Sequence, residues 1–224
     1  MSDLWQVVLL GIIEGITEFL PISSTGHLLI AEKLGLGGRS DVINVAIQAG
    51  AILAVTVIYW RRLWTLATGL NAAENRDYVL KLALAFLVTA IGGLIITKLG
   101  FKLPEAITPV AWALIIGGFW MIAAEQLAAR KSEIAKITWT VAIVVGLAQV
   151  VAAIFPGTSR SAATIFAAML IGATSRSAAT EFAFLVGIPT MFAASGKLLF
   201  DVVKQGGVAN ENWEALGIAF ASAG

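Results

Sequence analysis

The chain has 224 residues, of which 58% are hydrophobic and 13% are charged, and its mean hydropathy is +0.88. Soluble domains carry about 25% charged residues, so this composition indicates an integral membrane protein with several spans. The net charge of +1 gives no indication of a nucleic acid partner, the lack of cysteine excludes disulfides and thiol chemistry, and a single histidine excludes a multi-histidine zinc site.

The first predicted element is an apolar helix over residues 4–20 that carries two carboxylates. Glu14 and Glu18 are four residues apart and therefore share one helix face. Carboxylates inside an apolar membrane segment are costly, so this pair predicts a functional site. The helix pattern stops at Pro21. A short run of hydroxyl-bearing residues, a glycine and the only histidine follows: Ser23, Ser24, Thr25, Gly26 and His27.

Residues 27–36 are apolar again but too few to cross a membrane, since a span needs about 20 residues. A surface helix and a re-entrant hairpin that turns at mid-membrane both fit this pattern. Broken backbone at membrane depth is tolerated only where it lines a cavity, so the hairpin would also mark a site. Residues 137–155 and 162–171, on either side of Pro156, repeat the same pattern.

The other apolar stretches predict further spans and a partial helix. Four stretches are long enough to span, the last of them with Pro189 inside it: residues 42–60, 79–97, 107–127 and 178–200. A polar connection is expected over residues 71–77. The last apolar run, residues 213–223, is too short to span, and we expect the final helix to be incomplete in this chain. Basic residues in the short loops put the loops after residues 60 and 127 in the cytoplasm and the N-terminus outside.

An offset of 135 residues aligns the two hairpins. Glu14 then meets Gln149, Pro21 meets Pro156, and Ser24 meets Ser159. One copy covers about residues 4–60 and the other about 137–200, and the charge distribution makes them inverted. Inverted repeats with broken helices place a site where the two hairpin tips meet. The predicted fold is an all-α polytopic membrane protein with an inverted repeat and two re-entrant helical hairpins that meet near the midplane.

The second tip places one arginine among hydroxyl groups. The neighbours of Arg160 are Thr158, Ser159, Ser161 and Thr164. A guanidinium suits bidentate contact with phosphate, and helix starts at the tips present free N–H groups to an anion. Any metal here would be a hard cation held by carboxylates and phosphate oxygens.

Together the two tips contain the groups that phosphoryl transfer needs. They are an anion cradle around Arg160, a serine nucleophile, and acid or base groups. The nucleophile is Ser23 or Ser24, and the acid or base groups are Glu14, Glu18 and His27. Simpler roles are also open: Arg160 in a structural ion pair with Glu14 or Glu18, and His27 bonded to a carbonyl at a helix end. Gln48 and Glu181 fit packing or supporting roles, with Glu181 the better site candidate.

Both motifs resemble the undecaprenyl-diphosphate phosphatase family, also associated with bacitracin resistance. Residues 14–27 read E-G-I-T-E-F-L-P-I-S-S-T-G-H and residues 156–164 read P-G-T-S-R-S-A-A-T. Both are similar to that family's motifs, with Ala162 where a glycine is common, and the resemblance covers essentially the whole chain.

The resemblance implies a phosphatase that converts undecaprenyl diphosphate to the monophosphate lipid carrier of cell-wall synthesis. It implies the bacterial inner membrane, a site open to the periplasm, a long-chain isoprenyl diphosphate as partner, and a divalent cation, Mg²⁺ or Ca²⁺, with unassigned ligands. It favours Ser24 as nucleophile, assisted by Glu18 or His27, with Glu14 at the same site. Six residues are predicted to bind the substrate: Arg160, Ser23, Thr25, Thr158, Ser159 and Ser161.

Three alternatives stay open at this stage. Water rather than Ser24 could attack the phosphorus. The protein could be a transporter or flippase of a phosphorylated isoprenoid lipid. The oligomeric state is undetermined, with a homodimer among the arrangements allowed.

Overall fold

The computed structural model describes residues 4–37, 40–100, 107–130, 136–172, 174–204 and 212–224. Regular structure in these ranges is helical. Ten α-helices and one π-helical turn are found there: α1 (Leu4–Phe19), α2 (Ser24–Ala31), the π turn (Glu32–Leu36), α3 (Asp41–Ile58), α4 (Trp60–Thr68), α5 (Ala73–Lys98), α6 (Ile107–Ala128), α7 (Trp139–Ile154), α8 (Arg160–Gly172), α9 (Arg176–Lys204) and α10 (Trp213–Ala223).

Three of these helices, α5, α6 and α9, are long and apolar enough to cross a membrane. They confirm the predicted spans at residues 79–97, 107–127 and 178–200. The predicted span at 42–60 is divided instead, because α3 ends at Ile58 and α4 leaves it at an angle of 63°. Helix α4 is amphipathic, with Leu66 buried and Arg61 exposed, which is typical of a helix at the membrane surface. An all-α polytopic protein with three or four spans is therefore observed.

The start of α5 differs from the prediction. The polar stretch at residues 71–77 was expected to be a connection, but the helix begins at Ala73. A helix that continues beyond the hydrocarbon layer can contain polar residues. Here Asp77 and Lys81 form an ion pair one turn apart within the helix. The Lys81 ammonium also lies 5.4 Å from the centre of the Trp139 ring, so this end of α5 is fixed to α7.

Two helix pairs, α1–α2 and α7–α8, have the same local design. In each pair the first helix ends just before a proline, Pro21 or Pro156, and the second begins at a serine cap. The Ser23 and Ser159 side chains each accept a hydrogen bond from the N–H three residues later, at 3.3 and 3.2 Å. The last residues of α1 and α7 are 135 positions apart, whereas the two cap serines are 136 positions apart. The second loop therefore holds one residue more than the first.

Helix α10 covers α1 and α3 at close range. Gly11 and Gly15 on α1 and Gly50 on α3 make this approach possible, as small residues do in membrane helix pairs. A Cβ atom at Gly50 would lie only 2.1 Å from the Phe220 carbonyl oxygen. Helix α1, which leads to the first tip, is thus supported by α10.

Helix α9 lies between the two halves and packs on α3, α5 and α8. Its Phe182 and Val186 are fully buried in the cluster shared with α5, α7 and α8. Its Leu185 and Ile188 join a second cluster with Val55 of α3. Because one helix contacts both halves, it fixes the distance between the two tips.

Candidate active site

The turn between α1 and α2 (the first tip) and the turn between α7 and α8 (the second tip) contact each other directly. Arg160 donates from Nη2 to Glu18 Oε1 at 2.7 Å, and Ser161 Oγ donates to the Leu20 carbonyl at 3.1 Å. Glu18 is at the end of α1 and Arg160 is the first residue of α8, so the ion pair joins residues 142 positions apart. The Glu18 side chain is 10% exposed, which makes the pair one of low solvent access.

Glu18 also holds a serine. The Ser24 hydroxyl donates to Glu18 Oε2 at 2.6 Å, while Oε1 accepts from Arg160. A serine hydroxyl becomes a useful nucleophile when a base lies within about 2.6–3.2 Å of it. The three side chains therefore form a continuous arrangement of hydroxyl, carboxylate and guanidinium, which would allow Glu18 to act as a base for Ser24.

Whereas Ser24 contacts Glu18, its neighbour Ser23 caps a helix. Its hydroxyl caps α2 by accepting from the Gly26 N–H, and its backbone has φ 69°, the only positive φ found at a non-glycine residue in the described ranges. Such a conformation costs about 1–3 kcal/mol and often occurs at active sites. The sharp turn at Ser23 places Ser24 at the first position of α2, toward Glu18.

The second tip depends on a close backbone approach. Gly157 has φ 93°, and a Cβ atom there would lie 2.8 Å from the Val110 carbonyl oxygen of α6. Only glycine fits both conditions. This turn precedes the start of α8, and the first residues of α8 and α2 line the same cavity, an arrangement suited to phosphate.

A cavity of about 250 Å³ opens at the meeting point of the tips. Eight of the predicted site residues line it: Glu18, Ser23, Ser24, Thr25, Thr158, Ser159, Arg160 and Ser161. The cavity is thus a polar chamber with hydroxyls from both hairpins around one carboxylate and one guanidinium.

Glu14 lies one turn before Glu18 and is almost fully buried, at 4% exposure. Its Oε2 has no hydrogen-bond partner within the described residues. It lines a neighbouring cavity of about 280 Å³, and Thr25 and Gln48 line both cavities. Glu14 therefore lies beside the Glu18–Arg160 pair and lines the neighbouring cavity.

His27 is oriented toward the backbone. Its Nδ1 is 2.8 Å from the Ser23 carbonyl oxygen. Since a carbonyl only accepts, Nδ1 carries the proton in this contact, and Nε2 holds the lone pair of the neutral ring. His27 is one turn after Ser24 on α2, so the ring is a neighbour of Ser24 while it supports the strained Ser23 turn.

Several cavity residues were not predicted as site residues. They are amides and hydroxyls within the apolar helices: Thr17, Gln48, Thr89, Gln149 and Thr190. The alignment of Gln149 with Glu14 was a usable signal for one of them, and Gln48 was assigned only a packing or supporting role. The others look like ordinary back-bonded helix hydroxyls in sequence, so no local pattern reveals them.

Glu181 was the better of two secondary candidates, but the structure places it elsewhere. It accepts from Arg62 at 2.9 Å and from the Tyr78 hydroxyl at 3.2 Å. These contacts hold the first turns of α9 against α4 and α5. They lie about two and a half turns before Thr190, the α9 residue that reaches the cavity.

The fold and the site define a class of protein: a helical membrane protein with a partly buried Ser–Glu–Arg arrangement where the end of α1 meets the starts of α2 and α8. The family model for bacitracin resistance protein BacA matches residues 7–224, and the chain belongs to this family. It is 67% identical over 218 residues to the undecaprenyl-diphosphatase of Rhizobium etli (strain CIAT 652), which covers 97% of this chain and 82% of the relative. It is 62% identical over 223 residues to the undecaprenyl-diphosphatase of Xanthomonas oryzae pv. oryzae (strain PXO99A), which covers 100% of this chain and 84% of the relative.

Proposed function

We propose that this protein hydrolyses undecaprenyl diphosphate to undecaprenyl phosphate and phosphate. The observation that carries the proposal is the contact of Ser24 with Glu18, whose other oxygen binds Arg160. The named activity of relatives with 62–67% identity supports the same reaction. The product would return to cell-wall synthesis as its lipid carrier, and faster recycling of that carrier would give bacitracin resistance.

In the first step, Ser24 Oγ attacks the terminal phosphorus. The Oγ–P bond forms, the bond from phosphorus to the bridging oxygen breaks, and undecaprenyl phosphate leaves. Glu18 takes the proton of the hydroxyl, which it already accepts as a hydrogen bond. Arg160 and the N–H groups at the starts of α2 and α8 stabilise the charge that develops on the phosphoryl oxygens.

In the second step, water attacks the phosphoserine. The new P–O bond forms from water, the bond to Ser24 breaks, and the proton held by Glu18 returns to Ser24 Oγ as phosphate is released. The 2.6 Å contact favours this route over direct attack by water, because a serine that only bound phosphate would not need a carboxylate at that distance.

A divalent cation fits the chemistry of the donor set. Glu18 is occupied by Ser24 and Arg160, whereas Glu14 has a buried carboxylate oxygen without a partner among the described residues. Mg²⁺ is commonly held by one or two carboxylates together with substrate phosphates. Glu14 would hold the cation, which would neutralise part of the diphosphate charge.

The architecture proposed for this reaction is an inverted repeat of two re-entrant hairpins in the bacterial inner membrane, open to the periplasm. The matching Pro–Ser-cap design of α1–α2 and α7–α8 and the contact between their tips support it. Cysteines placed at Leu99 and Ala129, near the ends of α5 and α6, would label from opposite sides, Leu99 from outside. Labelling of both from one side would contradict the inverted arrangement.

Phosphate release by the purified protein tests the reaction. We expect turnover of undecaprenyl diphosphate in detergent and a phosphoserine at Ser24 after rapid quench. A protein that binds this lipid but releases no phosphate would instead support the transporter alternative.

A further inference from the structure

The catalytic cavity offers a diphosphate few positively charged side chains. Among the cavity-lining residues that the structure describes, Arg160 is the one cation, and Glu18 already pairs with it at 2.7 Å. A diphosphate brings several negative charges, so its oxygens need further hydrogen-bond donors. Neutral donors bind phosphate without the cost of burying a second unpaired cation.

Gln149 offers such a donor. Its Nε2 donates to Thr89 Oγ1 at 3.3 Å, and its Oε1 accepts from the Thr190 hydroxyl at 2.9 Å. Each threonine oxygen also lies within 3.2 Å of two backbone carbonyls, which share its one hydroxyl proton with the other acceptors.

This orientation leaves one N–H of Gln149 available. A primary amide has two N–H groups, and Thr89 is the only acceptor recorded for them in the described chain. Gln149 is 3% exposed overall and lines the catalytic cavity. The buried amide thus presents a donor, not an acceptor, to the chamber that holds Ser24 and Arg160.

Gln48 on the opposite half of the molecule is arranged in the same way. Its Oε1 accepts from the buried Ser195 hydroxyl at 2.7 Å, and its N–H groups make no hydrogen bond to the described residues. It also lines the catalytic cavity. In both cases the amide oxygen accepts a hydrogen bond from a hydroxyl of α9, and the NH₂ group remains available to a ligand in the cavity.

We propose that Gln48 and Gln149 bind phosphate oxygens of the substrate diphosphate, and that Ser195 and Thr190 orient their amides for this purpose. The inference rests on the proposed function for the identity of the ligand. It assigns a neutral subsite, built from α3, α7 and α9, beside the charged one at the hairpin tips. The two glutamines are binding residues and the two hydroxyls are positioning residues.

The sharpest test is Gln149→Glu, with Gln48→Glu as its counterpart. Glutamate keeps the shape and the oxygen that accepts from the α9 hydroxyl, but it replaces the donor with a charged oxygen. We expect about a tenfold or larger rise in KM, because one hydrogen bond to a charged group is lost and repulsion is added, with a smaller change in kcat. Displacement of substrate by inorganic pyrophosphate should weaken by a similar factor, and both effects should shrink as the pH falls and the new carboxylate is protonated.

Matched variants separate binding from folding. Gln126→Glu places the same charge on the exposed surface of α6 and should leave KM and pyrophosphate binding at parent values. Thr190→Val and Ser195→Ala keep both amides but release their orientation, and each should raise KM by about threefold, a fraction of one hydrogen bond, with kcat nearly constant. If the glutamate variants do not fold, these two variants still decide the question.

Parent-like KM and pyrophosphate binding in folded Gln149→Glu and Gln48→Glu would overturn the proposal. So would a loss confined to kcat. Turnover by the parent protein checks the proposed function separately: pyrophosphate binding that depends on the glutamines, in a parent that releases no phosphate, would sink the hydrolase while keeping the subsite.

Discussion

The two hairpin tips share a backbone design and differ in chemistry. Both have an apolar helix, a proline, a serine cap and a helix start that lines the cavity. The first tip carries the acidic pair and Ser24, whereas the second carries Gln149 and Arg160. Two turns of the same backbone design thus bring complementary charges, Glu18 and Arg160, into one cavity.

The tips also differ in how firmly they are held. Helix α8 buries seven of its thirteen residues, while α2 buries only Ser24 and Gly26 of its eight and follows the strained Ser23. The second tip is therefore a packed support for Arg160. The first tip is a lightly packed helix start whose position depends on its cap and on the Glu18 contact.

Among the variants at the first tip, Ser24→Ala should cause the largest loss of turnover. We expect a loss of turnover of about 10³-fold or more, because a nucleophile has no substitute in its own step. Binding of the lipid diphosphate should persist, since Arg160 and both helix starts remain. Ser23→Ala should cost much less, and substantial turnover by Ser24→Ala would point to water as the attacking group.

Arg160→Ala tests the second tip in the same assay. The expected loss is about 10²–10³-fold, as for removal of a preorganised charge-stabilising donor, and Arg160→Lys should recover little because the fork geometry is lost. Arg176→Ala is a matched control: it also begins a helix and pairs with a glutamate, Glu125, but this pair is exposed and should matter little. Equal effects of the two variants would argue against a phosphate cradle at Arg160.

Glu18→Gln tests the link between the tips. The amide keeps the size and one acceptor oxygen, so the fold should survive, but the base for Ser24 is lost. We expect turnover to fall by about 10²-fold or more, the usual contribution of a general base. Stability in detergent, followed by thermal unfolding, should change far less than turnover.

The smallest expected effect separates the two caps. Ser23→Gly should be about 1 kcal/mol more stable than Ser23→Ala, because glycine removes the cost of positive φ and is only slightly poorer than serine as a cap. At Ser159, where the backbone is not in that region, glycine should recover only what its better capping gives over alanine. Equal glycine-to-alanine differences at both caps, measured as unfolding temperatures, would show that Ser23 is not strained.

Much of the helical layout was predictable because it depends on local patterns. Long apolar runs indicated the spans α5, α6 and α9, and each proline followed by hydroxyl residues indicated a helix start. One error arose because a polar stretch was interpreted as a break in structure, and the other because an apolar run was interpreted as one continuous span. Residues 73–77 extend α5, where Asp77 and Lys81 pair along the helix. Helix α3 ends at Ile58 because the following residues form a helix of their own with its own amphipathic face.

The sequence alone determined which residues could do chemistry: two acids, two serines, one histidine and one arginine, each beside a predicted break. Only the tertiary structure decided which of them meet. Glu18 rather than Glu14 binds Arg160, Ser24 rather than Ser23 contacts the carboxylate, and Gln149 enters the cavity because Thr89 and Thr190 fix its amide. The physical reason is that local hydrogen bonding and burial set helices and caps, whereas contacts between residues 142 positions apart depend on how α9 packs the two halves together.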